Sequence, residues 1–228
     1  TVQNQQGLIE IFTRLLELEG IRPFEVPVFE NHSNENQVND KLDFHNLAPV
    51  LNQIQDNHSN AFIYMPEIGN SYFASYGLKT RGAEFGRSWI TNPWYAAMGT
   101  SVPYARAVCK ELKKANSSDI GVVITGDGGF NFQLNELIHF QRESLSVIII
   151  YMRNDIFHLG KHGEADIYHC STSRFDACKL IEAYGGESRV CSTVGEFVEY
   201  FSLCVEENKG IRFIEVPAST DAEYQCHE

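Results

Sequence analysis

Residues 122–160, VVITGDGGFNFQLNELIHFQRESLSVIIIYMRNDIFHLG, constrain the fold of this chain more than any other stretch. An apolar run (122–125), a glycine turn, a helical segment and a second apolar run (147–152) follow one another, and Asn154 and Asp155 come next. Such an order predicts a βαβ unit with a polar site at its strand ends. Gly126, Gly128 and Gly129 are free to take positive φ and to let a ligand approach the backbone. The helix after them opens with N–H groups and the positive end of its dipole, an arrangement suited to a phosphate. If the two strands are parallel neighbours, Asp127 and Asn154 project at the same carboxyl edge, where open α/β sheets bind ligands. One carboxylate and one amide oxygen beside a phosphate cradle suit Mg²⁺, which takes hard oxygen ligands and draws several of them from phosphates and water. The bland alternative for the same residues is an Asp-Gly loop with an Asn cap.

A chain of 228 residues with 43% hydrophobic and 21% charged residues is long and apolar enough for a real core, with one domain and an appendage. A formal net charge of −12 argues against nucleic acid or an anionic membrane as the main partner, because the long-range field repels both. No stretch resembles a signal peptide or an apolar span of membrane length. The chain starts at Thr1 rather than Met, which suggests processing or excision from something longer. Six cysteines (Cys109, Cys170, Cys178, Cys191, Cys204, Cys226) form no CxxC pair and read as small apolar residues in a reducing, cytoplasmic compartment. His158, His162, His169 and Cys170 match no zinc spacing.

Before this unit, residues 7–19 place Leu8, Ile11, Phe12, Leu15, Leu16 and Leu18 on a helical stripe that stops at Gly20. A short β-like piece (24–29) and a polar linker (31–41) follow, so residues 1–41 read as a helical and linker segment and 42–228 as the main domain. Within that domain helices are expected at 47–54 and up to about 114, and a buried strand at 61–65. The helix after the GDG turn is expected to carry Leu134, Leu137 and Ile138 on one face. Beyond residue 174 come a helix (176–184), a short strand (188–191), a helix (194–207) with Phe197, Phe201 and Val205 on one face, and a last strand (212–216). Strands alternating with helices give a doubly wound, mostly parallel sheet with helices on both faces.

GDG followed by 25 residues and then Asn, with strands and a helix between, resembles the metal–diphosphate motif of thiamine diphosphate (ThDP) enzymes of the acetolactate synthase and 2-keto acid decarboxylase superfamily. The resemblance covers residues 47–217 and implies the ThDP-binding fold. It implies that Asp127, Asn154 and the main-chain carbonyl of Ile156 hold Mg²⁺, which holds the diphosphate. By the same resemblance Glu67, Gly69, Asn70 and Ser71 stand at the strand end lining the diphosphate pocket. Ala96 falls where the family usually has a Gly whose carbonyl accepts from the pyrimidine amine, and as Ala it is expected to lose access to positive φ. By the resemblance Met98, before Gly99, would be the apolar prop that bends the cofactor so that its 4′-amino group reaches the thiazolium C2. Asn135-Glu136-Leu137 resembles the family's QEL, and Gly129 stands where the family often has Ser or Ala. His158 lies at the family's Tyr position, as a cofactor contact or as a plain loop histidine. Gly160 stands where pyruvate decarboxylase-like enzymes carry a catalytic Glu, so that subtype is not implied.

The resemblance assigns to this chain the diphosphate-binding domain alone. The opening segment looks like a remnant of a pyrimidine-binding domain, but none of Glu10, Glu17, Glu19, Glu25 and Glu30 has the strand-end context of the family's N1′-binding Glu. The expected function is therefore a ThDP/Mg-binding domain or subunit of a lyase or transferase acting on small 2-keto acids. It would work as a homo-oligomer (dimer or tetramer), with a pyrimidine-domain partner chain, or both. Two alternatives stay open: a non-catalytic relative that kept the fold, and an unrelated α/β phosphate binder.

Overall fold

The computed structural model describes residues 40–81, 88–156 and 175–218, all within the compact unit Val38–Glu228. The element order is α1 (Phe44–Asn57), β1 (Phe62–Pro66), α2 (Asn70–Ala74), α3 (Ser101–Lys114), β2 (Ile120–Gly126), α4 (Asp127–Asn131), α5 (Leu137–Glu143), β3 (Val147–Arg153), α6 (Ala177–Ala183), β4 (Glu187–Val190), α7 (Val194–Glu207) and β5 (Ile211–Pro217). The expected elements within the described residues form with ends shifted by up to a few residues, except that the helix after the GDG turn is split in two. Residues 7–29 and most of the linker lie outside the described residues.

All strand pairs are parallel, in the order β1-β2-β3-β5-β4. Side chains alternate across the pleat, so each central strand feeds two cores. On one face Phe62, Tyr64, Val122, Ile124, Ile148, Ile150, Ile214 and Val216 pack against α1 and α7. On the other, Met65, Val123, Ile149, Tyr151 and Phe213 meet α3, α4, α5 and α6. This is the doubly wound α/β arrangement, and it accounts for the unbroken Val/Ile runs: β2, β3 and β5 are buried along six of their seven residues.

Local chemistry sets the element ends. Asp43 and Asn46 form a reciprocal cap at the start of α1, and Thr193 and Glu196 do the same for α7. The helix expected after the GDG turn is broken: α4 ends at Asn131, a 3₁₀ turn spans Leu134–Glu136, and α5 begins at Leu137. The break changes the helical phase. Leu137 is fully buried and Leu134 packs on the same core, whereas Ile138, expected on their face, is 44% exposed.

Candidate cofactor site

Strand register builds the site. β2 and β3 are hydrogen-bonded neighbours with Gly126 opposite Met152, so each chain leaves the sheet at the same level: Asp127 one residue past Gly126, Asn154 two past Met152. Both side chains are buried, at 4% and 6% exposure. An Asp Oδ1 accepts the Gly128 N–H at 2.8 Å, so one of the amides expected to face a phosphate is taken by Asp127 itself. Phe130 locks this turn to the sheet, its ring 5.2 Å from that of Tyr151 and 5.3 Å from that of Phe213. Burial, followed by the nearby carboxylates of Asp127 and Glu215, raises the pKa of the Tyr151 phenol well above its ordinary value.

The glycines of the turn act differently from the expectation. Gly126 has φ −91, and neither Gly128 nor Gly129 is among the positive-φ residues. Close approach matters at Gly129, which packs under the Glu67 side chain, whereas a Cβ at Gly126 would make only ordinary contact with Ser71 Oγ. Positive φ occurs instead in the two loops opposite, at Gly69 (φ 120) before α2 and at Gly99 (φ 85) before α3. Asn70 and the buried Ser71 open α2, so the strand-end loop of β1 and the GDG turn of β2 converge.

Residues 88–91 run beside β1: the Tyr64 N–H donates to Ser88 O, the Ile90 N–H donates to Tyr64 O, and Thr91 Oγ1 donates to Pro66 O. That path delivers residues 92–99 to the carboxyl edge of the sheet. There Ala96 has φ +46. The expectation that Ala forfeits positive φ is corrected: the loop imposes the left-handed conformation in spite of the Cβ. Met98 is 38% exposed, and Trp94 (93%), Tyr95 (84%) and Phe132 (69%) stand out from the same loop and from the end of α4.

Two polar networks were not legible from local sequence. Glu67, at the end of β1, is fully buried, and its carboxylate accepts from backbone and side chains of Thr100, Ser101 and Gln133. Beside Asn154, Arg153 bridges Asp155 at 2.9 Å and Glu215 at 2.8 Å, and Asp155 has φ +59. A charged residue closing an apolar strand was the available signal for Arg153. Gln133 carried none, since its partners are 32 and 66 residues away. His158 and Gly160 lie outside the described residues, and so does any contact they make.

The donor set fits a hard divalent cation. It offers carboxylate and amide oxygens at adjacent strand ends and no softer ligand, and no group of three or more His, Cys, Asp or Glu suits a metal among the described residues. No helix of the described residues is long and apolar enough to cross a membrane.

Fold and edge together define a doubly wound α/β domain of the thiamine-diphosphate-binding class. Residues 67–216 match the family described as thiamine pyrophosphate enzyme, C-terminal TPP binding domain, and the chain belongs to that family. It is 28% identical over 127 residues to the acetolactate synthase large subunit of Buchnera aphidicola subsp. Schizaphis graminum (strain Sg), covering 53% of this chain and 22% of that protein. It is 27% identical over 148 residues to the alpha-keto-acid decarboxylase of Mycobacterium leprae (strain TN), covering 63% and 25%. The chain thus spans about a quarter of the length of these curated relatives. Its fold is similar to that of the Rhodococcus jostii RHA1 thiamine diphosphate-dependent 4-hydroxybenzoylformate decarboxylase (TM-score 0.65, 18% identity, 82% of this chain and 34% of that one). It is also similar to benzoylformate decarboxylase from Polynucleobacter necessarius (TM-score 0.64, 16% identity, 78% and 34%).

Proposed function

We propose that this chain binds the diphosphate end of ThDP through Mg²⁺, as one part of an enzyme acting on a small 2-keto acid. The observation that carries this reading is the placement of Asp127 and Asn154, both buried, at the ends of two adjacent parallel strands. When bound, the cofactor supplies the carbanion nucleophile and electron sink that 2-keto acid chemistry requires. Asp127, Asn154 and the Ile156 carbonyl would hold the metal. Gly69, Asn70, Ser71 and the Gly126–Gly129 turn would line the diphosphate from either side. The Ala96 carbonyl would accept from the pyrimidine amine, and Met98 would support the bent cofactor from below.

A Glu for the pyrimidine N1′ would come from a pyrimidine-binding domain outside the described residues, on a partner chain or another copy. Three exposed aromatic rings and Met98 on the two loops beside the site support a partner that covers them.

Calorimetric titration with ThDP tests the reading. Saturable binding that requires Mg²⁺ and disappears with EDTA is expected. Absence of binding in excess Mg²⁺ would overturn it in favour of a fold relative that has lost the cofactor.

A further inference from the structure

Helix α3, the 14-residue Ser101–Lys114, begins without a side-chain cap of its own. An uncapped helix start inside a protein is unfavourable, because its first N–H groups lose water without gaining a partner. Here the partners come from two distant segments. The N–H groups of Thr100 and Ser101 donate to Glu67 Oε2 at 3.1 and 3.2 Å, and Ser101 Oγ donates to the same oxygen at 2.9 Å. Val102 N–H donates to Gln133 Oε1 at 2.8 Å, while Gln133 Nε2 donates back to Glu67 Oε2 at 2.8 Å. Glu67 Oε1 accepts the Ile68 N–H at 3.0 Å. All of these donors are neutral, and the positive end of the α3 dipole stands in for a counter-cation.

Resting on the proposed function, we infer that Glu67 is a positioning residue rather than a cofactor contact: it ties the loop bearing Ala96 and Met98 to the turn bearing Asp127, and Gly129 is glycine to let it pass. With 0% exposure and its acceptor oxygens committed to protein donors, Glu67 has no face left for a diphosphate. Its side chain reaches α3 by crossing Gly129, where an added Cβ would lie 2.3 Å from Glu67 Cγ and 3.0 Å from Cδ. The Cβ position is fixed by the backbone, so any residue but glycine requires the Glu67 side chain or the turn itself to shift. Gln133, two residues beyond the end of α4, completes the tie. Three of the four segments that carry the candidate cofactor residues therefore share one buried carboxylate, and the Asn154 segment stands apart from it.

Amide hydrogen exchange on the full chain, without ligand, tests this directly, with ThDP titration in Mg²⁺ alongside. E67Q keeps the volume but replaces one acceptor oxygen by a donor. It is expected to speed exchange at Thr100 and Ser101 at least tenfold, and to weaken ThDP binding about tenfold, with unchanged far-UV circular dichroism. G129A is expected to reproduce both effects. The double variant E67A/G129A is expected to be no worse than E67A, because both changes remove the same contact. Q133L, a milder change read at the Val102 amide, gives the same test should E67Q fold poorly. Wild-type exchange at 100–102 in E67Q, with or without weaker ThDP binding, would overturn the inference, as would additive effects in the double variant. A wild-type chain that binds no ThDP would sink the proposed function instead, and the exchange rates would still decide the role of Glu67.

Discussion

The Arg153 guanidinium lies 2.9 Å from the Asp155 carboxylate, two residues along the chain, and holds that residue at φ +59. The backbone must turn sharply there, between the Asn154 side chain and the Ile156 carbonyl. Arg153 also reaches Glu215 at 2.8 Å, so its removal takes one guanidinium away from two partly buried carboxylates. R153M should therefore destabilise the chain by about 3 kcal/mol, the low end for breaking a buried pair because Arg153 keeps contact with solvent. It should also weaken Mg²⁺-dependent ThDP binding. Urea unfolding and calorimetric titration check the two effects.

Asp127→Ala removes the one carboxylate of the candidate metal set. Asp127 is buried at the first position of the short helix α4 but belongs to neither hydrophobic core, so the fold should survive. Mg²⁺-dependent ThDP binding should be abolished, with an unchanged circular dichroism spectrum. Wild-type ThDP affinity in this variant would refute the metal assignment.

Ala96 sits at φ +46 on an exposed loop. A left-handed conformation costs an L-residue roughly 1–2 kcal/mol, and glycine avoids that while losing more chain entropy on folding. A96G should stabilise the chain by about 0.5–1 kcal/mol, read as a higher urea midpoint at constant slope. A lower midpoint would mean that the loop holds Ala96 without strain.

Burial pushes the thiols up, Cys109 to about 12, Cys191 to about 11 and Cys204 to about 12. A raised thiol pKa leaves almost no thiolate at pH 8, and access is closed as well. In the native chain these three should resist iodoacetamide at pH 8, and in urea they should react within minutes. Peptide mass mapping distinguishes them from Cys178, which is only half-buried. Fast native labelling of Cys109 would contradict its packing against Gly121.

Much of the fold was legible because strand and helix signals are local. The runs 122–125 and 147–152 read as buried strands from their length and Val/Ile content, and Thr193 with Glu196 marks the start of α7 from four residues of sequence. The same spacing placed Asp127 and Asn154 at strand ends, and parallel pairing made them neighbours. Three features were not local. The backbone at Ala96 follows a path set by bonds from residues 88–91 to β1. The break at 132–136 turned Ile138 outward. Glu67 finds its hydrogen-bond partners 33 to 66 residues away.

The sequence by itself determined the βαβ order, the two cores and the identity of the polar residues at the carboxyl edge, because periodicity and glycine placement act within a few residues. Tertiary structure decided which protein groups each acid meets: the α3 amides and Gln133 for Glu67, the Gly128 amide for Asp127. Asp127 and Glu67 are alike as carboxylates at strand ends. What separates them is that α3 brings its unpaired amides to Glu67, and only the packed chain puts them there.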